Sequence, residues 1–525
     1  MGISKEAVRK ILQMREDMKE DRQPYEELFK DIAAYANPSM DWEEEVGERR
    51  EVYDNTLQRA SNKLADGIQG YAFSRNQAWF RLALEDDQLQ ANEAVGEFLQ
   101  LVEKHFYRQF ARSNFYDEGR AFVKAGADFG TSVMIRQEDL VRGCPYYKTL
   151  HLRSCYIREN AYGDVDTLFR EYSLTPDEAV MEYGRENVPE VIRNAFERNS
   201  NVKFKFLQAI FPRERYNLDV GKGSKPYVSI TIALAGEGHV VREGGYSAKP
   251  FFVWRYSRDM GSSPWGTNNP GQLEIYNAKQ LNGMRKDRGR ISQLMARPPV
   301  IASETLAGRL KLTPNGITYA KPGEDYALRG IVGNPSLLDA DIQDMRSSIN
   351  ESYYTNLFLI LSQNIDRMKT ATEVSGIQGE QAAMMSAFFG RIQTEFLEPV
   401  LEDLFALELF SGRLPPIPPI LKGKEIKIDM ISPLAMMQKR YLALESTRQA
   451  LGEILALAQA RPEILDNLDL DAYVRNIADS YNMDKRVVLD ELQVQKIREA
   501  RLQMMQAQQE AQLALQAQKQ GGNNG

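Results

Sequence analysis

Residues 272–303 read QLEIYNAKQLNGMRKDRGRISQLMARPPVIAS, and the reading of this stretch decides the fold. Leu273, Tyr276, Leu281, Met284, Ile291 and Leu294 fall at helical spacing and predict one helix of about 25 residues, roughly 37 Å at 1.5 Å per residue. Pro298-Pro299 stops it, because proline has no amide to donate and its ring clashes with the preceding turn. Between Val300 and Val332, strand-like runs at Pro299–Ser303, Ile317–Ala320 and Tyr326–Ile331 are punctuated by Pro314-Asn315-Gly316 and Pro322-Gly323. A second helix returns from about Ser336 to Leu357. The pattern is helix, small β module, helix: two rods carrying a tip.

Ahead of the rods the chain reads as a mixed body. Val8, Ile11, Leu12, Tyr25, Leu28, Phe29 and Ile32 place a helix over Lys5–Tyr35 that breaks at Asn37-Pro38. Helices are expected over Asp54–Ala72, Glu93–Ser113 and Asn114–Phe129, with a short strand at Trp79–Leu82. From Thr131 to Val253 the pattern shifts to β-branched and aromatic runs, among them Ser132–Arg136, Tyr227–Ile232 and Phe251–Trp254, interrupted by a helix over Thr175–Phe196. Beyond the rods, Gln363, Asn364, Arg367, Met368 and Lys369 form a polar interruption. Thr370 and Glu373 then fit a capping box for a helix to Phe410 that Pro399 should bend or break. Leu414–Pro419 is a stiff extended connector. From Pro433 the chain is expected to be helical, with a Gln- and Ala-rich stretch over Arg486–Gln518 that dissolves into Gly521–Gly525. The expected class is α+β, mainly helical.

Bulk properties narrow the function. A chain of 525 residues, 43% hydrophobic and 26% charged, can bury a sizeable core and suggests more than one domain. No apolar run reaches the roughly 18 residues of a membrane span. Met1–Glu16 mixes Lys5, Arg9 and Lys10 with Glu6 and Glu16, so it reads as a helix and not a secretion signal, and the chain is expected to stay where it is made. Cys144 and Cys155 are expected as free, half-buried thiols. A net charge of −7 argues against a protein that wraps nucleic acid with a broad basic face, but not against one past which DNA slides.

No catalytic constellation is apparent. Gly221–Lys225 resembles a phosphate loop but lacks the required spacing and reads as a turn between strands. His105, His151 and His239 are far apart in sequence and form no zinc-ligand motif. The acidic runs Asp41–Glu45 and Asp339–Asp344 fit solvated faces better than a two-metal site, and no Gly-x-Ser-x-Gly elbow is present. No enzymatic activity, metal or cofactor is expected.

Pro264–Thr267, the helix Leu273–Ala296, then Arg297–Ile301, and later Arg367–Val374 leading into a long helix, together resemble the portal (head-to-tail connector) proteins of short-tailed bacteriophages. The likeness in layout runs from Asp21–Tyr25 to Pro419, and the last hundred residues match only in being helical. The motifs are short, and their order carries the resemblance. It implies a ring-shaped homo-oligomer, typically a dodecamer, at the portal vertex of the virion, assembled in the host cytoplasm. Residues 1–271 would be the wing, 272–296 the first stem helix, 297–335 the clip, 336–357 the second stem helix and 358–372 the tunnel loop. Residues 373–432 would be a long helix returning to the wing, and 433–525 the crown. The implied partners are double-stranded DNA without sequence specificity, the major capsid protein and scaffold, the terminase motor, and tail adaptor and nozzle proteins.

The charges fit that placement. Lys279, Arg285, Lys286, Arg288 and Arg290 on the first rod and Asp339, Asp341, Asp344 and Glu351 on the second either meet across neighbouring subunits or form two solvated faces of a monomer. Arg367 and Lys369 are the candidates for touching the DNA backbone, against ordinary loop solubility, since a channel needs a few phosphate contacts but not many. The rival classes are a packaging enzyme such as a terminase subunit, disfavoured by the missing phosphate loop, and a scaffold or minor capsid component without a channel.

Overall fold

The computed structural model describes residues 3–37, 51–86, 89, 92–139, 143–216, 225–235, 238–258, 263–302 except 298–299, 304, 319, 321–322, 326–328, 335–356, 389–421, 423–424 and 426–431, with short runs beyond. The chain divides into two compact units, Met1–Ser432 and Pro433–Gly525. In the second unit the described runs, such as 471–475 and 493–501, are helical.

Helix α1 (Lys5–Ala36) begins where Ser4 Oγ accepts the Ala7 amide at 3.2 Å, and ends at Asn37 as expected. Its first apolar stripe, Ala7, Val8, Ile11 and Met18, packs on a five-stranded antiparallel sheet ordered β4 (Cys155–Glu159), β5 (Val165–Leu174), β6 (Phe204–Pro212), β7 (Tyr227–Ala233) and β8 (His239–Tyr246). Strand alternation sorts the two faces: Leu207, Ala209 and Phe211 of β6 meet α1, and Phe206 points the other way. There it meets Ala179 and Tyr183 of α5 (Pro176–Tyr183) and Ile192 of α6 (Glu190–Glu197).

The single helix expected over Thr175–Phe196 is thus two. Thr175 and Glu178 form a capping box that starts α5. Gly184, at φ 85°, then ends it, and Pro189 caps α6. The segment Gly221–Lys225, expected as a turn between strands, falls between the antiparallel strands β6 and β7, and only Lys225 of it is among the described residues.

A second core is aromatic. Trp79, Phe80 of β1 (Phe80–Leu84), Phe110 of α3 (Glu93–Arg112), Phe115 and Phe122 of α4 (Phe115–Phe129) and Phe396 are all buried. Phe396 joins the group with ring centroids 4.3 Å from Phe122 and 5.9 Å from Phe115. It belongs to a π-helical turn, Gln393–Leu397, that leads into α9 (Glu398–Phe410). Pro399 therefore does not break the helix. Its missing amide is taken up by the widened turn just before it.

Above this core lies a three-stranded sheet ordered β3 (Cys144–Leu150), β2 (Thr131–Asp139) and β9 (Phe251–Arg255). Past the Pro-rich connector the chain forms β12 (Ile426–Met430), an unanticipated strand that pairs antiparallel with β1. Helix α2 (Thr56–Ala72) completes this body. Cys144 and Cys155 are free and fully buried, beyond the half-burial expected of them.

His151 accepts the Arg153 amide through Nδ1 at 3.1 Å and starts a one-turn 3-10 helix. Burial, with Arg153 and Arg22 nearby, lowers its pKa from 6.5 to about 4. An unfolded chain takes up this proton near pH 6.5, and the folded chain resists it until about pH 4. Stability is therefore full above pH 6.5 and falls as the pH drops through that window, by up to about 3 kcal/mol. His151→Asn keeps an acceptor for Arg153 and should flatten this limb in thermal melts taken from pH 7 to 4; an unchanged slope would refute the assignment.

Candidate functional site

The two rods are α7 (Pro270–Ala296) and α8 (Pro335–Ser352), about 40 Å and 27 Å long at 1.5 Å per residue. They run antiparallel. Near the tip, Arg288 of α7 forks onto Asp339 of α8 at 2.8 and 3.2 Å. Near the root, the Glu274 carboxylate of α7 accepts from the hydroxyls of Ser348 (3.2 Å) and Ser352 (2.5 Å) of α8 and from Asn277 Nδ2 (2.8 Å). Between the rods, β10 (Val300–Ala302) pairs antiparallel with β11 (Tyr326–Leu328). Of the expected middle run, Ile317–Ala320, only Tyr319 is among the described residues, and it is not in a strand.

Helix α7 lies where its periodicity predicts, but its buried face is a different one. Glu274, Ile275, Ala278 and Leu281 are buried, whereas Leu273 and Tyr276 are 59% and 71% exposed. From Asn282 onward no residue of α7 is buried. Helix α8 ends at Ser352, five residues before the expected Leu357. Tyr353 is fully buried, and Tyr354 takes a left-handed φ of 51° that ends the helix.

A buried polar knot fixes the root. Asn269 donates through Nδ2 to the carbonyls of Ala127 (2.8 Å) and Asp128 (2.7 Å) at the end of α4. Asp128, 1% exposed, accepts from Tyr353 Oη at 3.0 Å and Lys124 Nζ at 2.7 Å. Lys124 also reaches Ser61 Oγ of α2 at 2.8 Å and the Ala36 carbonyl of α1 at 3.2 Å. Burial, reinforced by Asp128, holds the Tyr353 phenol well above its ordinary pKa, so it donates at any physiological pH. Nothing in the hydrophobic pattern announces this knot, because its members are polar at buried positions. The dipeptide Asn269-Pro270, an Asn just before a Pro suited to a first helical position, was its one legible sign.

The five basic residues expected on the first rod, Lys279, Arg285, Lys286, Arg288 and Arg290, have definite partners within the chain. Lys279 pairs with Asp31 of α1, Arg285 approaches Asp54 at 3.6 Å, and Lys286 approaches Glu51 at 3.4 Å. Arg290 meets Asp287 of its own helix at 3.6 Å, both exposed. Arg288 and Asp339 are the only one of the expected oppositely charged pairs to meet inside one chain among the described residues. Arg288 holds the Asp339 carboxyl below its ordinary pKa. Asp341, Asp344 and Glu351 are exposed and have no ion-pair partner among the described residues. Arg346 on α8, and Asp31, Glu51 and Asp54 outside the rods, escaped sequence reasoning. Arg367, Lys369 and the Thr370–Glu373 capping box lie outside the described residues.

Among the described residues, no three His, Cys, Asp or Glu side chains converge as a metal would require, and no helix is long and apolar enough to cross a membrane.

Residues 8–489 match the family described as bacteriophage head to tail connecting protein. The portal protein of Salmonella phage epsilon15 is 28% identical over 520 residues, covering 95% of this chain and 92% of that one. The probable portal protein of Bordetella phage BPP-1 is 27% identical over 528 residues, covering 97% and 94%. A solved structure titled virion of native gene transfer agent (GTA) particle aligns at 10% identity with a TM-score of 0.33, over 82% of this chain and 89% of that one, too loosely to carry an argument. The match over nearly the whole length, on a chain built as a mixed body with two antiparallel rods, places it plainly: it belongs to the bacteriophage head to tail connecting protein family and has the function of a portal protein.

Proposed function

We propose that copies of the chain close into a ring, a dodecamer, around a channel for double-stranded DNA at one vertex of the phage head. One observation carries this reading. Leu273, Tyr276, Gln280, Gly283, Asp287, Arg290 and Leu294 are all exposed and recur three and four residues apart along α7. That is the spacing of a helix seam seeking a partner. On α8, Asp344, Ser347 and Glu351 repeat the spacing with acidic character. Rods of neighbouring subunits would meet along these stripes, with the basic flank of Arg285, Lys286, Arg288 and Arg290 drawn to Asp341, Asp344 and Glu351 next door.

In this reading α7 and α8 form the stem, 297–335 the clip that docks the terminase motor and then the tail adaptor and nozzle proteins, and 358–372 the tunnel loop. Residues 433–525 form the crown inside the head, where the major capsid protein and scaffold surround the ring. The ring conducts DNA and catalyses nothing, and the motor that spends ATP is a separate protein. Arg367 and Lys369 touch phosphates without reading bases, because every sequence of the genome must pass.

Negative-stain images of the purified protein should show rings with a central hole, and compact monomers under all assembly conditions would defeat the proposal. Replacing Arg367 and Lys369 together with Ala should leave rings intact and impair packaging or DNA retention. Normal packaging by that variant would remove the two residues from the channel's working surface.

A further inference from the structure

The segment that enters α2 crosses both rods, and one carboxylate in it touches three helices. Asn282 of α7 accepts the backbone amides of Tyr53 (2.6 Å) and Asp54 (3.3 Å) through Oδ1 and donates through Nδ2 to the Glu51 carbonyl at 3.2 Å. Lys286 of α7 approaches Glu51 and lies 5.1 Å from the Tyr53 ring centroid.

Asp54 is the centre of this strap, its side chain only 4% exposed. One carboxylate oxygen accepts the first amide of α2, Thr56 N, at 2.9 Å. The other accepts Arg346 Nε at 3.2 Å and Nη2 at 2.6 Å from α8, with Arg285 Nε of α7 at 3.6 Å. A helix N-terminus and two guanidiniums converge there, three centres of positive charge that only an anion reconciles. Without it, Arg285 and Arg346 repel each other and the N-terminus of α2.

We propose that Asp54 is a positioning residue, a latch that fixes the two rods to each other and to α2, so that a displacement at the tip is carried into the body instead of being lost as sliding between helices. The inference rests on the portal reading, in which the tip docks one partner after another while the body sits in the head.

The test uses the full chain and hydrogen exchange resolved by segment. Asp54→Asn keeps an acceptor for Thr56 N, so α2 stays capped, but removes the charge. It should raise exchange about tenfold or more in α8 and in α7 beyond Leu281, as expected when charged hydrogen bonds are lost, and leave the five-stranded sheet unchanged. Arg346→Gln should do the same, and the double variant should be no worse than the worse single, since both break one interaction. Protection of the rods equal to the parent protein, a uniform loss across rods and sheet, or additive effects of the two substitutions would each overturn the latch. Images of the same samples judge the ring separately: a parent protein without rings defeats the portal assembly, while the exchange pattern still decides the latch.

Discussion

Asp403→Ala should destabilise the protein by about 3–5 kcal/mol, the cost of leaving a buried guanidinium without its carboxylate. Arg136 sits on β2, the central strand of the three-stranded sheet, and its Nε lies 2.5 Å and its Nη2 3.1 Å from the two oxygens of Asp403 on α9. The side chains are 4% and 3% exposed, so water cannot replace either partner. The fork holds α9 to the sheet, and Glu395 works beside it: its carboxylate accepts the Arg255 amide at 2.8 Å and Arg255 Nη2 at 2.7 Å at the end of β9. Replacing both members of the buried pair, Arg136→Met with Asp403→Leu, should recover most of the loss, because neither charge then pays for desolvation. Denaturant melts of the two variants test this. A single variant within 1 kcal/mol of the parent protein, on the order of a surface pair, would mean that the pair is hydrated.

This pair shows where the sequence stops speaking. The rods and the first helix were legible from apolar residues at helical spacing, and the strands at Ser132–Arg136, Tyr227–Ile232 and Phe251–Trp254 from β-branched and aromatic runs bounded by turn residues. The repeat gives a helix its place more securely than its orientation. Along α7, Leu273 and Tyr276 keep helical spacing as well as Ile275 and Ala278 do, and only packing decided which stripe faces inward. The break at Gly184 was printed in the chain but outweighed by the apolar residues on either side of it. Buried charges are less legible still, since Arg136, Asp403, Asp128 and Glu274 look like surface residues until their partners, up to 267 residues away, are known. The site followed the same rule. The charges on the rods were identified, but three of their partners, Asp31, Glu51 and Asp54, lie more than 200 residues away.

Gly271→Ala, one methyl group at the root of the stem, should cost about 3 kcal/mol and displace the rods. A Cβ there would lie 1.9 Å from the Asp128 backbone carbonyl oxygen and 2.7 Å from its carbon. Backbone cannot swing aside as a flexible side chain does, so the first turn of α7 must move away from the end of α4. Overpacking of this kind costs about 1–3 kcal/mol, and each Asn269 bond lost with it adds about 1 kcal/mol. Gly283→Ala and Gly289→Ala on the same helix supply the contrast, for a Cβ at either position meets nothing within 4 Å in the chain. By helix propensity they should stabilise the isolated chain by about 0.5–1 kcal/mol each. Thermal melts should therefore give opposite signs for one chemical change on one helix, and equal signs would refute the close approach at the root. Ring formation adds a second readout. Gly283 lies on the exposed stripe of α7 and Gly289 lies beside it, so a Gly283→Ala chain that is more stable yet closes fewer rings would place a neighbouring rod against that stripe, whereas a Gly271→Ala chain should lose rings together with its stability.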